Sequence, residues 1–244
     1  MDDRFFWSGY EWENKERWGR LHPDKPWTWY SPKCVSITDN GELALNIIPD
    51  ANVFEKGGNY YFPKFGMGLV SSTKNNPNFK FGEYTWVAKM PKGKHLWPAL
   101  WMWSFDSWPP EIDIAEGWTN DCGGYFKFVK NGKLLQWNIQ SNCWYWREKD
   151  KSYNPQSISI LKGNFKDPSK NFITYKLKWY KTKLEFYYDG KLVRVIDDVE
   201  FMEYLNQHTQ EGMNIIMNLH PTKEYNIYEP SNPLLIKSFT YRKF

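Results

Sequence analysis

Three carboxylate side chains stand close together in one short stretch of the chain. They are Glu111, Asp113 and Glu116. Ile112 and Ile114 alternate with the first two acids, as in a β-strand with one buried face and one open face. Neighbouring carboxylates repel one another, so at least one pKa should rise into the range of a general acid. The pattern indicates acid–base chemistry on a strand; a plain acidic surface strand and a cation site are the alternatives.

Glu116 interrupts this alternation, because it lies five positions after Glu111. A regular strand would turn its side chain into the core, where an unpaired carboxylate is costly. A one-residue β-bulge near Ala115 would return Glu116 to the open face, and bulges are frequent beside active sites. The Cα atoms of the two glutamates would then be about 13 Å apart, with their carboxyl groups at roughly 5–6 Å. Such a separation is typical of glycosidases that retain anomeric configuration and too short for inverting ones.

Tryptophan is abundant near these acids, with 15 in the chain. Because binding pockets for organic ligands are lined largely by aromatic side chains, tryptophans beside the acids could hold a sugar ring. We assign five of them to substrate binding: Trp101, Trp103, Trp108, Trp118 and Trp144. The alternative for each is a large core side chain, and this is the role that we expect for Trp86 and Trp179.

The composition excludes several classes of protein. Aromatic residues make up 19% of the 244 residues, which excludes a disordered chain. The mean hydropathy is -0.73 and there is no long apolar run, so no membrane-spanning helix is expected. The net charge is only +4 and the lysines are scattered, so we expect no nucleic-acid partner. Arg17, Arg20 and Arg147 could bind anionic sugars, with ordinary surface exposure as the alternative.

Short segments that alternate apolar and polar residues recur between turn signals along the chain, which is typical of an all-β sandwich. The clearest predicted strands are Val35–Ile37, Glu42–Ile47, Phe81–Met90, Tyr125–Val129, Lys133–Ile139, Tyr175–Trp179, Leu184–Tyr188, Leu192–Ile196, Met213–Leu219 and Leu235–Tyr241. Asn131-Gly132 predicts a hairpin turn, and the one predicted helix runs from about Glu200 to Gln207. Without a linker or repeat, residues 1–244 are expected to form one domain of two antiparallel sheets.

Cysteine and histidine give weaker signals. Cys34, Cys122 and Cys143 have no metal-ligand spacing. Cys122 and Cys143 could form a disulfide, and the alternative is free buried thiols. The histidines are isolated in sequence, and His220, just after Asn218, is the best candidate among them for a functional role.

The run WPALW at 97–101, followed by EIDIAE at 111–116, resembles the signature of glycoside hydrolase family 16, which includes laminarinases, agarases, carrageenases and lichenases. Further similar stretches follow in the family's order along nearly the whole chain. They are Gly68–Ser72, Phe81–Pro91, Tyr175–Trp179, Phe186–Gly190, Asn218 and Phe239–Arg242.

The resemblance implies a β-jelly roll whose concave sheet forms an open cleft, where a polysaccharide is cut internally with retention. By position, Glu111 would be the nucleophile, Glu116 the general acid/base and Asp113 the residue that hydrogen-bonds the nucleophile. The bulged spacing ExDxxE is that of laminarinases and of enzymes that cleave agar or carrageenan. The expected substrate is therefore a β-1,3-glucan or a β-linked galactan of the agar, porphyran or carrageenan type. The basic balance of the chain and its dense loop tryptophans slightly favour the galactan. A non-catalytic binding module and a transglycosylase with the same residues are the alternatives.

The resemblance also sets expectations about ligands and location. Members often carry an Asp of a structural calcium site where this chain has Lys237-Ser238; we therefore expect no cofactor and no metal, although calcium stays open. Nor does Gln140–Trp144 contain the histidine that members often have in that strand. We expect a monomer whose partner is the polysaccharide and not a membrane. The start shows no signal peptide, and the expected location is extracellular or at the cell surface.

Overall fold

The computed structural model describes residues 3–23, 25–128, 134–148, 152–153, 158–161, 165–222 and 231–244. Two large antiparallel β-sheets share one apolar core, as the sequence predicts. Eight strands of the first sheet, here called the cleft sheet, are in spatial order Arg4–Trp7, Tyr10–Glu13, Leu69–Ser72, Met213–Pro221, Leu96–Ser104, Glu111–Gly117, Leu134–Trp144 and Phe126–Phe128. A further strand, Ile158–Leu161, pairs with Leu134–Trp144.

The second sheet, here called the outer sheet, has seven strands within the described residues. Their spatial order is Lys191–Ile196, Leu184–Tyr188, Ile173–Trp179, Gly82–Lys89, Leu234–Lys243, Leu43–Leu45 and Val35–Ile37. Alternation explains how these strands build the core. In Gly82–Lys89, Tyr84, Trp86 and Ala88 are fully buried, whereas Glu83 faces outward to Lys176 at 2.9 Å. The core assignment of Trp86 and Trp179 is confirmed, since neither side chain is exposed.

Short elements complete the fold. Thr28–Tyr30, Phe65–Met67 and Ile47–Pro49 form a small sheet of three strands. Phe54–Lys56 pairs with Asn59–Tyr61, and Trp146–Arg147 pairs with Ser152–Tyr153. A 3₁₀ helix spans Pro32–Cys34. The predicted α-helix is confirmed as Val199–Gln207, and Asp198 caps it by accepting a hydrogen bond from the Phe201 N–H.

The first two strands were not predicted from the sequence. Arg4–Trp7 and Tyr10–Glu13 form a hairpin whose turn residues, Ser8 and Gly9, both have positive φ angles. This backbone geometry is typical of a two-residue hairpin turn. The hairpin pairs with Leu69–Ser72 at the edge of the cleft sheet, and the chain that follows it reaches the cleft.

Two further expectations concern the hairpin near residue 131 and the cysteines. The turn Asn131-Gly132 lies outside the described residues, but the strands on either side, Phe126–Phe128 and Leu134–Trp144, pair with each other. All three cysteines are free, so the alternative of a disulfide between Cys122 and Cys143 is wrong. Cys143 is buried within a strand, whereas Cys122 lies in an exposed turn that Asn120 closes by accepting hydrogen bonds from the N–H groups of Cys122 and Gly124.

Candidate active site

The three acids lie on a central strand of the cleft sheet, Glu111–Gly117. Ile112 and Ile114 are fully buried in the core. Glu111, Asp113 and Glu116 instead line a cleft of about 560 Å³ on the other face of the strand. The predicted division of this strand into an apolar face and an acidic face is confirmed.

The predicted β-bulge is also present. On one side of the strand, Asp113 pairs with Trp101 and Ala115 pairs with Leu100, so that Ile114 is the extra residue. On the other side the register shifts again between Asp113 and Glu116. The bulge returns Glu116 to the face of Glu111, because it adds one residue to the odd spacing between them.

A residue of the outer sheet fixes this bulge from across the core. The hydroxyl of Tyr188 donates a hydrogen bond to the backbone carbonyl of Ile114, and both residues are buried. The extra residue of a bulge is left out of the strand ladder. Tyr188 therefore supplies a partner for a backbone group that the irregular ladder exposes to an apolar core.

Burial raises the pKa of all three carboxyl groups, and repulsion by neighbouring acids adds to this for Asp113 and Glu116. Loss of solvent, followed by the charge of Glu111, raises the pKa of Glu116 to about 7. Burial also raises the pKa of Glu111, while burial and both neighbouring glutamates raise the pKa of Asp113 well above its ordinary value. Asp113 is within hydrogen-bonding reach of both glutamates. A protonated Asp113 next to two glutamates, one of which has a pKa of about 7, is an arrangement suited to proton transfer.

Each glutamate also has an indole donor of its own. The Trp97 N–H donates to Oε1 of Glu116 over 3.1 Å, and the Trp108 N–H donates to Oε2 of Glu111 over 2.5 Å. Both hydrogen bonds favour the ionised carboxylate and so lower the pKa of the glutamate that accepts them. A third indole, that of Trp101, donates to Oδ1 of Asn218 over 2.6 Å.

The structure brings all five tryptophans assigned to substrate binding to the wall of the cleft. They are Trp101, Trp103, Trp108, Trp118 and Trp144. Trp108 is 41% exposed in the loop before the acidic strand, whereas Trp103 is only 4% exposed. Trp118 stacks on Trp97, with ring centroids 5.8 Å apart. Their location agrees with the assignment, and their contact with a sugar stays a prediction.

Sequence reasoning missed several residues of the cleft wall. The additional lining side chains include Trp18, His22, Lys25, Tyr30 and Trp97. For Trp97 a signal was present, since residues 97, 99, 101 and 103 alternate along one strand and share a face. Asn218 and His220, which the sequence singled out, also line the cleft. Trp18, His22 and Lys25 arrive from the loop after the first hairpin, which no local pattern predicts.

The three arginines that could bind anionic sugars have different surroundings. The Arg17 guanidinium lies over the Trp103 ring at 3.9 Å, at the cleft. Arg20 donates from Nη1 to Oδ1 of Asn14 and to the Tyr30 carbonyl, and therefore serves the fold. Arg147 lies 4.0 Å from Glu200 of the helix.

Two further features, metal sites and membrane-spanning helices, concern the described part of the chain. There, no group of three or more His, Cys, Asp or Glu side chains is arranged to hold a metal ion. In the same residues, no helix has the length and apolar character needed to cross a membrane. The expectation that the protein needs no cofactor stays a prediction.

Two antiparallel sheets and an open acidic cleft lined by tryptophan define a jelly-roll protein of the carbohydrate-active type. The sequence profile of Glycosyl hydrolases family 16 matches residues 27–232. The chain belongs to this family. The profile covers most of the chain, and the expectation of a single domain over residues 1–244 stays a prediction.

Three individual relatives share between 18% and 34% sequence identity with this chain. A β-1,3-glucan-binding protein of Penaeus monodon is 34% identical over 131 residues, covering 51% of this chain and 34% of the relative. A glucan endo-1,3-β-glucosidase A1 of Niallia circulans is 24% identical over 200 residues, covering 78% of this chain and 27% of the relative. The chain thus spans about a third or less of these two proteins. The laminarinase catalytic domain of Thermotoga maritima has the same fold, with a TM-score of 0.62, 18% identity, and coverage of 92% of this chain and 84% of that one.

Proposed function

We propose that this protein is an endo-acting, retaining glycoside hydrolase that cleaves a β-linked polysaccharide by double displacement. The observation that carries the proposal is the placement of Glu111 and Glu116 on one face of a bulged strand, in a cleft, each beside its own indole donor. Membership of the family supports the same reaction class. Transglycosylation by the same residues remains an alternative outcome of the reaction.

In the first step, the Glu111 carboxylate attacks the anomeric carbon while Glu116 gives its proton to the glycosidic oxygen. The bond to the leaving sugar breaks, and a glycosyl ester forms on Glu111. The Trp108 hydrogen bond helps Glu111 to stay ionised, and the pKa of about 7 keeps a large share of Glu116 protonated near neutral pH.

In the second step, the ionised Glu116 takes a proton from a water molecule. The oxygen of that water attacks the anomeric carbon and releases Glu111, so that the configuration is retained and Glu116 regains its proton. The Trp97 N–H stabilises Glu116 while it is ionised between the two steps. Asp113 lies between the two glutamates, and when protonated it can donate to either of them.

Among β-linked polysaccharides, we place β-1,3-glucan first. Relatives from Penaeus monodon and Niallia circulans are both named for it. A β-galactan, favoured by the basic balance of the chain and its dense loop tryptophans, comes second. Arg17 and Lys25, which lie over Trp103 and Trp97 at the cleft, support it.

Release of reducing ends from laminarin, lichenan, agarose, porphyran and carrageenans tests this proposal. We expect activity on laminarin that Glu111→Gln abolishes, whereas Glu203→Gln, on the exposed face of the helix, leaves it unchanged. Mass spectrometry after incubation with a 2-fluoro glycoside should place the sugar on Glu111, and NMR of the first product should show a retained anomer. A label on another residue, or an inverted first product, would contradict the mechanism.

A second candidate is a glucan-binding protein without catalysis, because the relative from Penaeus monodon is named for binding. Both candidates use the same cleft. Tight binding of laminarin, with no reducing ends released from any glycan of the panel, would favour binding alone.

We also propose a location, a partner and an oligomeric state for the protein. Its substrate would be too large to enter a cell, so we place the activity outside the cell or at its surface, with the polysaccharide as partner and the protein as a monomer. Light scattering of the purified chain tests the monomer.

A further inference from the structure

A cluster of aromatic and imidazole rings lies in the cleft next to Glu116. It consists of Tyr30, Trp97, His22 and His220, here called the His220 cluster. The His220 ring stacks on Tyr30 at 5.9 Å, and the His22 and Trp97 rings meet it edge-on at 5.1 Å and 5.9 Å. These contacts fix the orientation of the imidazole.

His220 carries a polar atom that the fold leaves unused. Its side chain is 6% exposed, and Nε2 makes no hydrogen bond with any other described residue. A buried nitrogen without a partner is costly and requires an explanation. Because His220 lines the cleft, a ligand in the cleft is the natural source of the missing hydrogen bond.

The register of the sheet locates this nitrogen relative to the acids. Ala99 pairs with both Glu116 and Asn218, and Trp97, two residues earlier on the same strand, pairs with His220. His220 thus lies two residues along the strands from the row that contains Glu116, a displacement of about 7 Å in the strand direction. A sugar unit adjacent to the one at Glu116 would meet this cluster.

The charges around His220 indicate the chemistry of its ligand. Burial, His22 and Lys25 together hold the pKa of His220 well below its ordinary value, so its ring is neutral near pH 7. Nδ1 of His22 accepts a hydrogen bond from the Lys25 backbone N–H over 3.1 Å. A neutral imidazole offers one donor and one acceptor, which matches a sugar hydroxyl better than an anionic substituent.

We propose that His220 is a substrate-positioning residue whose Nε2 hydrogen-bonds a hydroxyl of the uncharged sugar unit next to the one at Glu116. This inference rests on the proposed function, because it places a glycan in the cleft. The hydroxyl does not react, so its hydrogen bond contributes equally to substrate and transition state. Loss of that bond should therefore raise KM and leave kcat nearly unchanged.

Two substitutions separate the hydrogen bond from the packing. His220→Phe keeps a ring against Tyr30 but removes the nitrogen, whereas His220→Gln places an amide near the position of Nε2. With laminarin, we expect His220→Phe to raise KM about three- to tenfold and His220→Gln to stay near the wild type. His208→Phe is the control, since His208 stacks on Tyr204 outside the cleft wall. Equal KM values for His220→Phe and the wild type, or equal losses in the Phe and Gln variants, would overturn the proposal.

Binding measurements make the test independent of turnover and of how the Phe variant folds. In the wild-type chain labelled with ¹⁵N-histidine, laminarihexaose should shift the Nε2 resonance of His220. A bound hexaose without that shift would overturn the proposal. If the wild type binds the hexaose but cleaves no glycan, the proposed hydrolase fails, and the Kd values of the same variants decide the role of His220. If the wild type neither binds nor cleaves, both proposals fail.

Discussion

The indole N–H of Trp97 donates a hydrogen bond to Oε1 of Glu116 over 3.1 Å, and both side chains line the cleft. Trp108 makes the corresponding hydrogen bond to Glu111 from the loop before the acidic strand. One indole thus acts on the proposed acid/base and the other on the proposed nucleophile. The two glutamates can therefore be perturbed separately.

Removal of the Trp97 donor should change the alkaline side of the pH profile. The proposed mechanism needs Glu116 protonated, so kcat/KM of the wild type should fall as the pH rises through about 7. Trp97→Phe destabilises the carboxylate and raises the pKa of Glu116, which moves this fall to higher pH. The pH dependence of kcat/KM measures it, and an unchanged alkaline limb would refute the assignment.

Trp108→Phe should change the acidic side instead. Its hydrogen bond lowers the pKa of Glu111, so its loss raises that pKa. Activity then appears only at a higher pH than in the wild type, because the nucleophile must be ionised. Trp144→Phe is the control, since Trp144 lines the cleft and donates no hydrogen bond to either glutamate within the described residues. An acidic limb that moves equally in both variants would count against a specific role for Trp108.

Tyr188→Phe should destabilise the bulge. The substitution leaves the buried Ile114 carbonyl without its hydroxyl donor, and we expect the free energy of unfolding to fall by about 1–3 kcal/mol. Because the bulge aims Glu116, kcat should fall more than KM rises. Urea unfolding and steady-state kinetics check both effects.

Tyr175→Phe is the matched control for this prediction. The Tyr175 hydroxyl is buried on the same sheet and has no hydrogen-bond partner among the described residues. Its removal should be close to neutral or stabilising. If Tyr175→Phe costs as much as Tyr188→Phe, the hydrogen bond to Ile114 is not the reason.

Glu16→Gln should stabilise the protein at neutral pH. Glu16 is 2% exposed and burial raises its pKa to about 8, so the folded state keeps a proton that the unfolded chain releases above its ordinary pKa of 4.5. The wild type therefore loses stability as the pH rises from about 4.5 to about 8. At pH 7 the substitution should recover up to about 3 kcal/mol, at 1.36 kcal/mol per pH unit.

Urea unfolding at pH 5 and pH 7.5 checks this expectation. The gain from Glu16→Gln should be larger at pH 7.5, whereas the exposed Glu203→Gln should change stability little at either pH. A gain that does not depend on pH would contradict the role of the buried proton.

Local sequence determined the acidic strand of this protein. Ile112 and Ile114 alternate with the acids, and the odd spacing of Glu116 requires a bulge, because a strand has a period of two and a buried unpaired carboxylate is costly. These features depend on neighbours within six residues. They could therefore be predicted without knowledge of the fold, and the strand pairing confirms them.

Only the tertiary structure decided what surrounds the acids. Tyr188 reaches Ile114 from the other sheet, and His220 meets Tyr30 and His22, which lie almost 200 residues earlier in the chain. Such contacts depend on the order of strands in a sheet and on the path of a loop. Periodicity carries no information about either, because it specifies which face a side chain occupies and not which distant residue faces it.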